Sequence, residues 1–202
     1  MWLVKRRGSP FRNVARLKTI LSVLANHGLG NLAVRAKLGR YVLNRFVSKD
    51  YEHLTVPERV RMSFEELGPT FVKLGQLLAT RPDLITVEYA EELKKLHDQV
   101  AGVPFDEIEK ILTAHFGAPL AEIFAAFDQT PLAAASIAQV HRARLKDGSS
   151  VVVKVQRPGI ERVIKDDLQI LRGLAELADK YIPEIRPYNP VGIVNEFGRS
   201  ME

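Results

Sequence analysis

The sequence predicts an α+β fold, and three observations carry that prediction. Apolar residues recur at helical spacing through most of the first hundred-odd positions. Ile137 to Leu145 alternates like a strand, and Lys146-Asp147-Gly148-Ser149, with Asp-Gly at its centre, marks a hairpin turn. The run that follows, Val151-Val152-Val153-Lys154-Val155, is β-branched and of strong strand propensity. The chain has 202 residues, 46% of them hydrophobic and 26% charged. That length allows one medium or two small domains, and the composition argues against disorder, a collagen or a many-span membrane protein. Cysteine is absent, which excludes a disulfide framework, thiolate metal ligation and a cysteine nucleophile.

Val14, Leu17, Ile20, Leu21 and Leu24 form the first helical period, interleaved with Arg12, Arg16 and Lys18 and ended by His27-Gly28. A second basic helical stretch is expected over about 32–47. Val56-Pro57-Glu58 opens another helix, with proline early and a carboxylate at its positive end, and Gly68-Pro69 breaks it after Leu67. Phe71, Leu74, Leu77 and Leu78 carry the next, which stops before Arg81-Pro82. Thr86 can cap a helix over 87–97, and Pro104-Phe105-Asp106 opens one that ends at Phe116-Gly117. After the strands, Val163, Leu168, Leu171, Leu174 and Leu177 restore the helical period up to Tyr181, and a last helix starts at Val191.

Charge is divided unevenly along the chain. Residues 1–50 carry 11 Lys and Arg against Asp50 alone, while residues 51–202 carry 18 bases and 23 acids. A basic amino end points to an anionic membrane surface, a nucleic acid or an acidic partner. The plainer reading, a solvated basic helix face packed on the rest of the protein, is preferred to membrane docking. Nucleic-acid binding rests on net charge alone, without a recognition helix or interleaved aromatics, and is not expected. Met1 to Arg7 is followed by no apolar run of signal-peptide length, and no stretch of 18 uncharged apolar residues occurs. A cytoplasmic location, at most peripheral to the membrane, is expected.

Phe127 to Val155 reads as a unit: strand, small-residue loop Ala133-Ala134-Ala135-Ser136, strand, tight turn, and a third strand bearing Lys154. That order matches the front of a kinase small lobe, where a loop covers nucleotide phosphates and a third-strand lysine meets them. On a strand Val152 and Lys154 share one face and Val151, Val153 and Val155 the other. A lone strand lysine is also a common defence of sheet edges. Asp166-Asp167 reads as a solvated carboxylate pair on a helix face. His97, His115 and His141 show no metal-ligand spacing, and no metal ligand is assigned. His141 reads as structural.

Phe64 to Gln76 (FEELGPTFVKLGQ), Ala133 to His141 (AAASIAQVH) and Val152 to Ile160 (VVKVQRPGI) resemble, in order, the hallmark helix, alanine-rich loop and third strand of the UbiB/AarF family of atypical kinase-like proteins. The resemblance implies a helical amino-terminal extension packed on a partial protein-kinase-like small lobe. It implies a basic helical segment over 1–55, an extension carrying Lys-x-Gly-Gln over 56–118, and a partial lobe over 119–202 that stops in or before its C helix. It implies Lys154 and Lys73 as the catalytic lysines, and Ala133, Ala134, Ala135, Ser136, Lys154 and Gln76 as nucleotide contacts. Lys73 and Gln76, three apart, share one side of their helix. Gly75 costs helix stability, about 1 kcal/mol against alanine, so close packing or ligand approach is its expected reason. Alanines in place of glycines predict a stiffer loop that meets phosphates differently.

The cofactor so implied is ATP or ADP, with Mg2+ only in a full-length protein, in support of ubiquinone or other isoprenoid-lipid metabolism. Phosphoryl transfer also needs metal-holding carboxylates and an acceptor-orienting loop. Neither is found beyond Lys154, Glu196 and Glu202 match no such pattern, and the chain alone is expected to be catalytically incomplete: a fragment or amino-terminal half. A second reading, from another class, is a non-catalytic helical adaptor or membrane-surface module using the basic first 50 residues. The two lysines of the first reading are expected to converge on one cavity.

Overall fold

The computed structural model describes residues 14–30, 53–97 and 101–201. The basic stretch expected over 32–47, most of the basic first 50 residues and Glu202 lie outside them. The chain divides into two compact units, 98–161 and the remainder. The fold is α+β: helices and one antiparallel four-stranded sheet.

In the helical unit, α1 (Val14–Asn26), α2 (Val56–Leu67), α3 (Pro69–Ala79) and α4 (Val87–Leu93) precede the long α7 (Ile160–Tyr181), a 3-10 helix (Pro183–Tyr188) and α8 (Pro190–Ser200). A capping box starts α2. The Thr55 hydroxyl accepts from the Glu58 N–H at 3.4 Å and Glu58 Oε2 accepts from the Thr55 N–H at 2.7 Å, which satisfies two donors the helix start leaves over. Gly68, at φ 97, ends α2 and lets Pro69 begin α3 at once. Ile20, Val23, Leu67, Phe71 and Ile170 form one core; Val72, Ala79, Leu93 and Leu96 form another.

Two expectations change here. The helix expected over 87–97 stops at Leu93 because residues 94–96 tighten into i→i+3 turns, Lys95 N–H to Glu92 and Leu96 N–H to Leu93, which carry Leu96 into the core. Asp167, expected to be solvated, is fully buried on α7. Arg16 of α1 grips both its oxygens, Nε to Oδ1 at 2.7 Å and Nη2 to Oδ2 at 2.9 Å, and donates to the Leu67 carbonyl at 2.7 Å. A bidentate guanidinium offsets the desolvation that makes a lone buried carboxylate prohibitive.

In the other unit α5 (Phe105–Phe116) and the short α6 (Leu120–Ile123) lead into β1 (Phe124–Phe127), β2 (Ala133–Ala134), β3 (Ala138–Leu145) and β4 (Ser150–Gln156). The central strand is β3, with β4 along one edge and β1 and β2 along the other, all antiparallel. The 146–149 turn is the hairpin its sequence announces: Gly148 takes φ 89 and Asp147 Oδ1 accepts from the Ser149 N–H at 2.9 Å. That bond, chiefly, holds the Asp147 carboxyl below its ordinary range. One sheet face, with Ala143, Val151, Val153 and Val155, packs against Ile108 and Leu112 of α5.

Candidate functional site

The strand alternation that buries Val155 leaves Val152, Lys154 and Gln156 on the opposite, exposed face. Arg142 and Arg144 of β3 share that face, standing opposite Val152 and Ser150. Lys154 stands opposite Val140, and Val140 stands opposite Ala133 on its other side. The row places the Lys154 and Ala133 backbones about 10 Å apart, two strand spacings. Among the described residues no carboxylate pairs with Lys154, Arg142 or Arg144. Towards the hairpin the face opens into a groove of about 660 Å³ lined by Ala126, Asp128, Arg142, Arg144, Ser150 and Val152 among others. Lys154 and the alanine segment are not in its lining.

The alanine segment, expected as a loop, is paired over Ala133 and Ala134, which face Val140 and Gln139 of β3. The turn itself is confined to 135–138, closed by the Ala135 N–H on the Ala138 carbonyl at 2.8 Å, and Ser136 within it is buried. Arg157 holds the turn: Nε donates to the Ala135 carbonyl at 2.8 Å, Nη2 to the Ala101 carbonyl at 2.6 Å, and its N–H to the Ile137 carbonyl at 3.0 Å. A buried polar chain continues beneath. Gln139 Oε1 accepts from the Val103 N–H at 2.7 Å, and its Nε2 donates to His141 Nε2 at 2.9 Å. His141 Nδ1 in turn donates to the Asp128 carbonyl at 2.8 Å, which fixes the tautomer and gives this fully buried ring a structural role.

Lys73 and Gln76 belong to α3 in the helical unit. Lys73 Nζ donates to Gln76 Oε1 at 3.2 Å, as their three-residue spacing predicts, and Gln76 Nε2 donates to the Leu96 carbonyl at 3.2 Å. A Cβ on Gly75 would overlap Leu96 Cδ1 and lie 2.9 Å from Phe64 Cδ2, so close helix packing explains that glycine. Close by, Arg61 of α2 meets Glu65 at 2.8 Å and Glu92 at 3.1 Å, and Glu92 also meets Lys95. Lys95 first, then Arg61, hold the Glu92 carboxyl below the usual glutamate range. On α8, Glu196 meets Arg81 at 3.5 Å.

Each unit thus brings its own set together: Lys154 with the alanine segment in one, Lys73 with Gln76 in the other. The donors on the exposed sheet face fit phosphate, being an ammonium and two guanidiniums with no paired acid among the described residues. Among the described residues no three His, Asp or Glu side chains gather as a metal site. Reading by motif missed Arg157, Gln139 and the Arg16–Asp167 pair. Gln139 and His141 carried a signal, since they fall on the same strand face as Ala143, the apolar one.

A family model described as ABC1 atypical kinase-like domain matches residues 95–202. A Marinobacter nauticus protein described as "Probable protein kinase UbiB" is 47% identical over 140 residues, 69% of this chain and 26% of its own length. A Cellvibrio japonicus protein of the same description is 42% identical over 187 residues, 90% of this chain and 33% of its own length. A Clostridium pasteurianum protein described as "Uncharacterized protein in hydrogenase 1 5'region" is 44% identical over 165 residues, 82% of this chain and 29% of its own. The chain spans about a quarter to a third of the length of these relatives.

Proposed function

The chain belongs to the UbiB/AarF family of ABC1 atypical kinase-like proteins, and on that premise we propose that its β3–β4 face binds the phosphates of an adenine nucleotide. The observation that carries this reading is Lys154: an exposed ammonium with no paired carboxylate among the described residues, one row across the sheet from Ala133 and Val140. An unpaired cation keeps its full attraction for a dianionic phosphate, whereas a neighbouring acid would compete for it. Val140 and Val152, on the same face, offer apolar contact to a base.

Lys73 and Gln76 are assigned a part in nucleotide handling by resemblance, supported by their ordered geometry on α3. ATP supplies the group to be transferred. Transfer itself, with Mg2+ and in support of ubiquinone or other isoprenoid-lipid metabolism, is proposed for a longer protein of the relatives' length. For the basic first 50 residues, contact with an anionic membrane surface stands as the alternative to the solvated helix face preferred from the sequence; among the described residues no helix is long and apolar enough to cross a membrane.

Calorimetric titration of the chain with ATP tests the reading. Lys154→Met should weaken binding at least about tenfold, as expected for losing a charged hydrogen bond. Equal affinity for the two proteins overturns it. Lys73→Ala should weaken binding without altering the helical content, and co-sedimentation with anionic vesicles, lost when residues 1–50 are removed, tests the membrane alternative.

A further inference from the structure

We propose that the groove at the hairpin end of the exposed sheet face is a second binding site, for a small ligand that joins a phosphate or carboxylate head to an apolar body. The pairing register sets the site. Arg144 stands between Ala126 on β1 and Ser150 on β4, and Arg142 stands opposite Val152. Both arginines are exposed, and they line a groove of about 660 Å³, a volume within the range of small-molecule sites.

The neighbours of Arg144 give the groove its charge. An opposed carboxylate would neutralise a strand arginine, and here one opposed side chain is a methyl group and the other a hydroxymethyl. The hairpin's acid is engaged in the turn, where Asp147 Oδ1 accepts from the Ser149 N–H at 2.9 Å. Its lysine is engaged as well: Lys146 Nζ donates to the Ala121 carbonyl at 2.7 Å. Among the described residues neither Arg142 nor Arg144 has a paired acid. Two like charges whose Cα atoms lie about 7 Å apart on one strand face repel each other, and an anion between them relieves that repulsion. A concave surface focuses the field on the anion.

Asp128 decides where the head goes. Its N–H donates to the Arg142 carbonyl at 2.9 Å, so the one acid among the described residues of the lining lies beside Arg142. An anionic head is therefore drawn to Arg144 and the Ser150 hydroxyl, with Arg142 as the second donor. The apolar body has the Ala126 methyl and Val152, which is 65% exposed. Lys154 serves another place. Its row lies four residues along β3 from Arg144, about 13 Å of backbone, and it is not in the lining. The site rests on Arg142 and Arg144, goes beyond the nucleotide reading of Lys154, and takes its anion beside a nucleotide held there.

Titration of the whole isotope-labelled chain with hexyl phosphate, hexanoate and hexanol, followed by nuclear magnetic resonance, tests the site. The anions should shift the amides of 142–144 and 150–152, and hexanol, with the same body and no charge, should not. Arg144→Gln should weaken the tighter anion about tenfold, as expected for losing a charged hydrogen bond. Its unfolding curve should match that of the parent, because the side chain is exposed. Lys154→Met should leave anion affinity unchanged, and ATP should bind at the same time. A tighter phosphate or a tighter carboxylate names the head, and either result supports the site. No shift at these amides, equal binding of hexanol, or unchanged affinity in Arg144→Gln overturns it. Displacement of the anion by ATP, or an equal loss in Lys154→Met, also overturns it, since the groove would then belong to the nucleotide. If Lys154→Met leaves ATP affinity intact, only the nucleotide reading fails, and the anion titration still decides the groove.

Discussion

Lys73 and Lys154 are the same residue in two different settings. On α3, Lys73 is half-buried and bonded to Gln76, which is itself bonded to the Leu96 carbonyl, above a glycine whose missing side chain lets the helices close. On β4, Lys154 stands exposed on a face shared with Arg142 and Arg144, and among the described residues none of the three has a paired acid. The helical unit spends its polar groups on holding itself together, as Arg16 and Asp167 show most plainly. The sheet unit satisfies its polar groups on the buried face and leaves the other face cationic. Polar side chains of the first kind answer to stability measurements, and those of the second kind to ligand.

The largest effect expected from this contrast is in the helical unit. Arg16→Ala strands a buried carboxylate and should cost about 3 kcal/mol or more in denaturant unfolding. Adding Asp167→Ala should recover part of that loss, because no uncompensated charge remains. A cost below about 1 kcal/mol for Arg16→Ala would dissolve the contrast. On the buried face of the sheet, Gln139→Leu leaves the Val103 N–H and its carbonyl without their partner and should cost about 2 kcal/mol. Gly75→Ala sets the helix propensity gained, about 1 kcal/mol, against overpacking of Phe64 and Leu96, and should be net destabilising by about 1 kcal/mol. A stabilised Gly75→Ala protein would show that the helices can part without cost.

Lys154→Met, by contrast, should leave unfolding within about 0.5 kcal/mol of the parent while nucleotide affinity falls, the signature of a side chain that holds nothing in the fold. The smallest effect is electrostatic. Because Lys95 and Arg61 keep Glu92 below its ordinary range in the folded chain, its contribution is present in full above that range. It disappears as pH falls through the lowered value. Glu92→Gln should therefore narrow the stability difference between neutral and acid pH, and an unchanged pH profile would remove Glu92 from the network.

Much of this was legible in the chain. The α2 and α3 bounds follow from Pro57, Gly68-Pro69 and Arg81-Pro82, and the 146–149 hairpin from Asp-Gly, because these residues restrict their own backbone. The outward placement of Val152 and Lys154 follows from strand alternation alone. The helix expected over 87–97 runs past the end of α4 at Leu93, since nothing local marks the point at which Leu96 turns inward. The burial of Asp167 is not legible locally for a related reason: its partner lies 151 positions away, and no local window contains both.

What the sequence by itself determined is therefore what neighbours in the chain decide: where helices start and stop, which strand face is apolar, and which motifs occur in which order. Which polar groups are structural and which are left for a ligand was decided only by the tertiary structure. Arg16 on a helix, Arg157 just past a strand's end and Lys154 on that same strand are all cations, and their local sequence does not separate them. Folding brings a carboxylate to the first and two carbonyls to the second, and leaves the third facing solvent. The physical reason is that the free energy of a charged group depends on its solvation and its partners, both properties of three-dimensional surroundings rather than of adjacent residues.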